Sequence, residues 1–260
     1  MSYETLIYKQ EGRVATVILA RAGAKNAINA EMAQELVEVC SKINQDAEVA
    51  VVIITGAGEE AFSVSAESSF VEGSLALPSE LQMSVVQYPA AAVANLNCPV
   101  IAAINGDTLG QGLELALACD VRIAREGRKF GLPCIASCLI PWDGGTQRLP
   151  RLIGRGKAME MLLTGELIDA VEACQIGLVN KVVSAEDLMP TVNKMAQLLS
   201  SKGPMALRYA KEAIGKGMEL SLEQGLRLEA DLYFLLQTTK DRTEGIRAFL
   251  EKRPPQFKGE

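Results

Sequence analysis

The chain has 260 residues, enough to bury a sizeable core, and carries 26 Lys and Arg against 32 Asp and Glu for a formal net charge of −6. That acidic balance, with no basic run, argues against nucleic acid or an anionic membrane surface as a partner. The N-terminal MSYETLIYKQEGR lacks the apolar centre of a secretory signal, and no apolar stretch reaches the ~20 residues of a membrane span, so a soluble, cytoplasmic protein without membrane association is expected.

Residues 5–19 read as two strands around Glu11-Gly12, with Val14, Thr16 and Ile18 on one face and Val17 and Leu19 on the other. Asn29 is a good cap for a helix in which Met32, Leu36, Val39, Cys40 and Ile43 recur at helical spacing. Residues 50–55, AVVIIT, form a buried strand that ends at Gly56. Residues 61–70, AFSVSAESSF, pass from apolar to small polar side chains, which suits a loop entering a helix. Helix formers dominate 73–97, and Pro89 must end or kink a helix there. Val100–Ile104 is a short apolar strand broken by Asn105-Gly106. After Gly110 an apolar helix begins with Leu113, Leu115, Ala116 and Leu117. A strand at 121–124 leads into a Gly- and Pro-rich segment, 130–148, that holds the single tryptophan, Trp142. Helices follow at 155–163, 169–176, 186–200, 204–216 and about 220–239, and those from 204 onward have apolar faces too broad to hide against themselves. Alternating strands and helices of this kind predict an α/β fold.

The chain contains no histidine, which removes Ser-His and Cys-His nucleophilic schemes. The cysteines at 40, 98, 119, 134, 138 and 174 form no CxxC pair, so neither a metal site nor a disulfide framework is expected. Proton transfer near neutral pH then falls to carboxylate, Cys, Tyr or Lys with a shifted pKa, or to water. The strand–bend–helix around Gly110 leaves backbone N–H groups at a helix start, where negative charge is favoured. Glu114, in that first turn, is either a solvated acid or a placed base, and its spacing leaves both open. Gly110-Gln111-Gly112 also matches the start of a dinucleotide fingerprint, but Leu115 stands at the third glycine and no acidic ribose partner follows.

The stretch 99–124, PVIAAINGDTLGQGLELALACDVRIA, resembles the AAxNGxxxGGGxELAxxCDxxxA block of the crotonase superfamily, the enoyl-CoA hydratase/isomerase family. Further matches recur in order at Thr55-Gly56-x-Gly58 with Ala61-Phe62-Ser63, at Phe130-Gly131-x-Pro133, at Gly144-Gly145-Thr146-Gln147-Arg148-Leu149 and at Ala248-Phe249-Leu250-Glu251-Lys252-Arg253. The resemblance implies a crotonase-like spiral of ββα units over 1–200 and a helical region, 201–260, that joins subunits into a homotrimer or homohexamer. It implies an acyl-CoA thioester as substrate, coenzyme A entering only as part of that substrate, with no separate cofactor.

In such proteins the thioester carbonyl lies between two backbone N–H groups, which map here to Ala66 and Gln111; fixed donors of this kind stabilise developing enolate charge by several kcal/mol, on the order of 3 for one donor. The motif departs from pattern at both places. AGAD/AGGD reads Val64-Ser65-Ala66-Glu67, and the middle glycine of GGG is Gln111, so the donors persist while the bulk of Val64 and Gln111 narrows the acyl pocket. Hydratases of the family hold one water between two glutamates. Glu114 takes the first place, and Cys134 stands where the second should follow Pro133. Isomerases and dehalogenases place an aspartate one residue before Asp143, which makes Asp143 a candidate second acid; it could equally cap the helix opening at Gly144-Gly145. Trp142 reads as a pocket wall. Lys25, Ala27, Ser65 and Ala66 map beside the CoA thioester, with Phe249 and Lys252 of a neighbouring subunit against the adenine and 3′-phosphate. Three functions stay open: a hydratase, a one-base reaction (isomerisation, decarboxylation or thioester hydrolysis), and a silent acyl-CoA-binding or assembly protein.

Overall fold

The computed structural model describes residues 3–65 and 87–259. Strands β1 (Leu6–Glu11) and β2 (Val14–Leu19) form an antiparallel hairpin, and Asn29 Oδ1 accepts the Met32 N–H at 2.9 Å to start α1 (Ala30–Gln45). Three strand pairs then wind forward. They are β3 (Val51–Gly56) with β4 (Ala61–Val64), β5 (Val100–Ile104) with β6 (Asp107–Leu109), and β7 (Val121–Arg125) with β8 (Lys129–Gly131). Helix α2 (Pro89–Ala94) precedes β5, and α3 (Gln111–Ala118) links β6 to β7. A 3-10 turn (Pro133–Ser137), α4 (Gly145–Ile153), α5 (Arg155–Thr164), β9 (Ile168–Asp169), α6 (Ala170–Gln175), β10 (Lys181–Val183) and α7 (Ala185–Ser200) complete this part. Helices α8 (Pro204–Gly217), α9 (Leu222–Gln237) and α10 (Lys240–Glu251) end the chain.

Each pair gives one strand to each of two sheets. The larger runs β1-β2-β3-β5-β7-β10, parallel from β2 onward, and the smaller runs β4-β6-β8-β9. A parallel sheet covered on both faces needs continuous apolar strands rather than alternating ones. Accordingly Val52, Ile54, Ala102 and Ile104 join the core containing Leu36, Phe62 and Leu113, while Val51, Ile53, Ile101 and Ala103 meet Leu188, Val192 and Ala196 of α7 on the other side.

Two sequence expectations need correction. Residues 61–64 are a strand and not a loop, because Ala61 and Phe62 are buried edge-on beside β6. Pro89 opens α2, where at the first helical position its missing N–H costs nothing, and the helix expected to end there falls in residues outside the described ones. Residues 240–251 form a further helix, capped by Thr239, whose buried face is too narrow to show as a hydrophobic period. The helix expected before residue 87 lies mostly outside the described residues. Among the described residues, no helix is long and apolar enough to cross a membrane.

Candidate active site

The turns of the spiral meet at the start of α3. Gly110, at φ +55°, carries the chain from β6 into that helix, and its N–H donates to the Gly131 carbonyl at 2.9 Å. A Cβ on Gly112 would stand 2.1 Å from the Ser63 carbonyl oxygen, so the helix can abut β4 only with glycine there. The Ser65 N–H donates to the Leu109 carbonyl at 2.8 Å, and Ser65 itself holds a left-handed φ of 61°. Its neighbour Ala66 lies outside the described residues. The segment holding Lys25 and Ala27 runs along the same edge, where the Val64 N–H donates to the Lys25 carbonyl and the Ile28 N–H to the Ser65 carbonyl. Lys25 points outward and pairs with Glu60 at 2.8 Å.

Every residue of α3 is buried, Glu114 included at 2% exposure. Its Oε1 accepts the N–H groups of Asp143 and Gly145, each at 2.8 Å. Burial pushes the carboxyl pKa above the usual carboxylate range; the charge of Asp143 adds to that, and the backbone donors oppose it. Glu114 is therefore a buried acid held by backbone donors and not a solvated one.

The Asp143 carboxylate is committed elsewhere. It accepts the Ala90 N–H at 2.6 Å and the Ala91 N–H at 3.2 Å, capping α2. It does not cap the helix at Gly144-Gly145, whose N-cap is Gly144 with no side-chain bond. Burial raises the Asp143 pKa as well, against the Ala90 and Ala91 donors and the nearby Arg148. Trp142 packs at a tilt on Tyr88, ring centres 5.7 Å apart, both partly exposed. Cys134 sits half-buried in the 3-10 turn with Sγ 3.7 Å from the Leu132 carbonyl oxygen. Burial, then the charge of Glu114, raise its thiol pKa, so it is a protonated thiol at neutral pH. The same thiol borders an apolar cavity of about 500 Å³ lined by Ile135, Leu139, Pro141, Met159 and Leu162.

Glu114, Gln111, Asp143 and Cys134 thus gather around one helix start, with Ser65 beside Gly110. No hydrogen bond or ion pair among the described residues links Phe249 or Lys252 to this group. Phe249 is 82% exposed, and Lys252 ends α10 at φ 53°. Two scaffold residues carry no chemistry that a motif could flag. Buried Asn26 donates to the Ala57 and Ala61 carbonyls, and Asn105 binds the backbone of Gly56 and Gly58. Asn105 is visible in the sequence as a strand-breaking Asn-Gly and as the Asn of the family block, neither of which shows that it holds the Gly56 loop.

Residues 9–260 match the family model described as enoyl-CoA hydratase/isomerase. The chain belongs to that family. A crotonyl-CoA hydratase from Syntrophomonas wolfei is 40% identical over 257 residues, covering 99% of both chains. A short-chain-enoyl-CoA hydratase from Clostridium acetobutylicum is 38% identical over 253 residues, covering 97% of both. The crystal structure of an enoyl-CoA hydratase from Bacillus anthracis superposes with a TM-score of 0.92 at 41% identity, covering 99% of this chain and 100% of that one. This is an enzyme of the enoyl-CoA hydratase/isomerase family with the crotonase fold, and Gly110-Gln111-Gly112 belongs to that family's block rather than to a dinucleotide site.

Proposed function

We propose that the enzyme adds water across the double bond of a 2-enoyl-CoA thioester, crotonyl-CoA being the substrate to which the relatives' names point. The observation that carries this reading is Glu114, the buried carboxyl whose Oε1 is filled by two backbone donors. Those bonds, with a further contribution from the Trp142 backbone, fix the side chain, and the raised pKa brings the group toward its working pH. The thioester oxygen would lie against the N–H groups of Gln111 and Ala66. Water attacks the β-carbon as Glu114 takes its proton, the π electrons move into the enolate, and the acid returns the proton to the α-carbon. A protonated Cys134 cannot take a proton from water, and the Asp143 carboxylate already serves α2, so one carboxylate serves both steps.

The thiol at 134 also favours a second reading, a one-base double-bond isomerisation in which Glu114 carries a proton between carbons. On either reading Lys25 and Ala27 flank the CoA moiety, and Phe249 and Lys252 of a neighbouring copy hold its nucleotide. The exposure of Ile214, Met218, Leu222, Phe234 and Phe249 supports assembly through 201–260 against a 1–200 core, as a homotrimer or homohexamer. We place the enzyme in the cytoplasm. A panel of 2-enoyl-, 3-enoyl- and saturated acyl-CoA thioesters with mass-spectrometric readout tests the proposal. Gain of one water by 2-enoyl-CoA is the expected result, and double-bond migration without that gain would select the isomerase instead.

A further inference from the structure

Gln111 is 4% exposed, yet neither its Nε2 nor its Oε1 has a hydrogen-bond partner among the described residues. Buried amides are almost always paired, because an unmet donor or acceptor forfeits the water it left behind. This one is an open donor and an open acceptor in the same place.

Its direction follows from the helix. At about 100° per residue, Gln111 and Glu114 lie about 60° apart on α3. Gly112 marks the opposite flank, since its Cβ position is taken by Ser63 of β4. Gln111 therefore lies on the Glu114 side of α3, away from the flank packed on β4, and leans toward the helix N-terminus as helical side chains do. The two side chains share that flank without bonding to each other, so the amide keeps an unmet donor and an unmet acceptor near the carboxyl.

Resting on the hydratase reading above, we infer that the side-chain amide of Gln111 is a catalytic residue that holds the attacking water against Glu114. Oε1 accepts one water O–H, while the other points to Glu114. Nε2–H donates to a second acceptor in the same shell, the water or the thioester oxygen. The amide does not ionise, so it supplies no proton. On attack, the water oxygen forms its bond to the β-carbon, its proton passes to Glu114, the π pair becomes the enolate, and the same proton leaves Glu114 for the α-carbon. Atoms and charge balance with one acid, so Gln111 takes over the water-holding half of the work that Cys134 cannot do.

Side-chain bulk offers a competing account, in which Gln111 only narrows the acyl pocket. Steady-state hydration of crotonyl-CoA by Gln111→Met, Gln111→Glu and Gln111→Gly separates the two. Methionine keeps the volume and loses the amide, so kcat should fall roughly 10–100-fold with KM changed less than about threefold, the signature of a misplaced reactant. Glutamate offers the same donor and acceptor only while protonated. Gln111→Glu should lose turnover as pH rises, while its charge also raises the Glu114 pKa, so the kcat against KM split of Gln111→Met is the readout that separates the two roles. Glycine should be slower than wild type. A Gln111→Met variant with wild-type kcat, or a Gln111→Gly variant faster than wild type, overturns this inference and leaves the hydratase reading standing. Absence of hydration by the wild-type enzyme overturns both.

Discussion

Asp143 is the residue at which anchoring and acid catalysis make opposite predictions. Its carboxylate caps α2 through Ala90 and Ala91, and its N–H binds Glu114, so it ties two elements to the site. Asp143→Ala removes the cap, worth about 0.5–2 kcal/mol, and strands the buried Ala90 N–H at a further ~1–3 kcal/mol. These overlap, giving about 2–3 kcal/mol, or roughly 5–10 °C in Tm for a chain of this size. Asp143→Asn keeps one acceptor for Ala90 and loses about one bond, ~0.5–1.5 kcal/mol. Against that stands the cost of burying charge. Burial raises the folded-state pKa of Asp143, so its contribution to stability is complete below its unfolded pKa and is lost as pH rises through the folded one. At pH 7 the ionised form is therefore a burden that asparagine lacks, and the net change should be within about 1 kcal/mol. Thermal melts beside crotonyl-CoA hydration provide the assay. Asparagine should retain turnover within about threefold, against the 10²–10⁴-fold loss typical of a removed general acid (roughly). A loss of that larger size with Tm unchanged would refute the anchoring argument and make Asp143 the second acid.

Glu114→Gln should be no less stable than wild type at pH 7. By the same sign argument the raised pKa makes ionised Glu114 a cost that grows as pH rises, so melts from acidic to neutral pH should show Tm of the variant gaining on wild type. Cys134→Glu should speed crotonyl-CoA hydration by restoring a second carboxylate, with a gain short of roughly 10²–10⁴ because repulsion from Glu114 raises one pKa of the pair. No gain, with binding intact, would show that the thiol position is not limiting. Lys252→Ala should weaken CoA-thioester binding in calorimetry, most at low salt, through loss of one phosphate contact. A monodisperse monomer in light scattering would remove the neighbouring subunit from that account.

Much of this fold was legible because its period was unambiguous. The apolar runs of β3 and β5, and Asn29 ahead of α1, announce themselves locally. Strands β4 and β6 did not, since four and three residues cannot display a period of two. Pro89 can end one helix or start another, and the partner of the free N–H groups, Asp143, shows that it starts α2. At the site, motif spacing singled out Glu114 and the departures at Gln111 and Cys134. That the Glu114 anchor is backbone, the N–H groups of Asp143 and Gly145 some thirty residues onward, has no side-chain signature to read. Nor does the state of the Gln111 amide, which depends on what fails to reach it.

The central claim is that Glu114 hydrates a 2-enoyl-CoA without a second carboxylate. Crotonyl-CoA turnover by wild type and Glu114→Gln, at matched CoA-thioester affinity, tests it most directly. Wild type should convert it to the 3-hydroxyacyl-CoA, and the variant should be slower by roughly 10²–10⁴. Hydration by wild type that drops less than about tenfold in Glu114→Gln would contradict it.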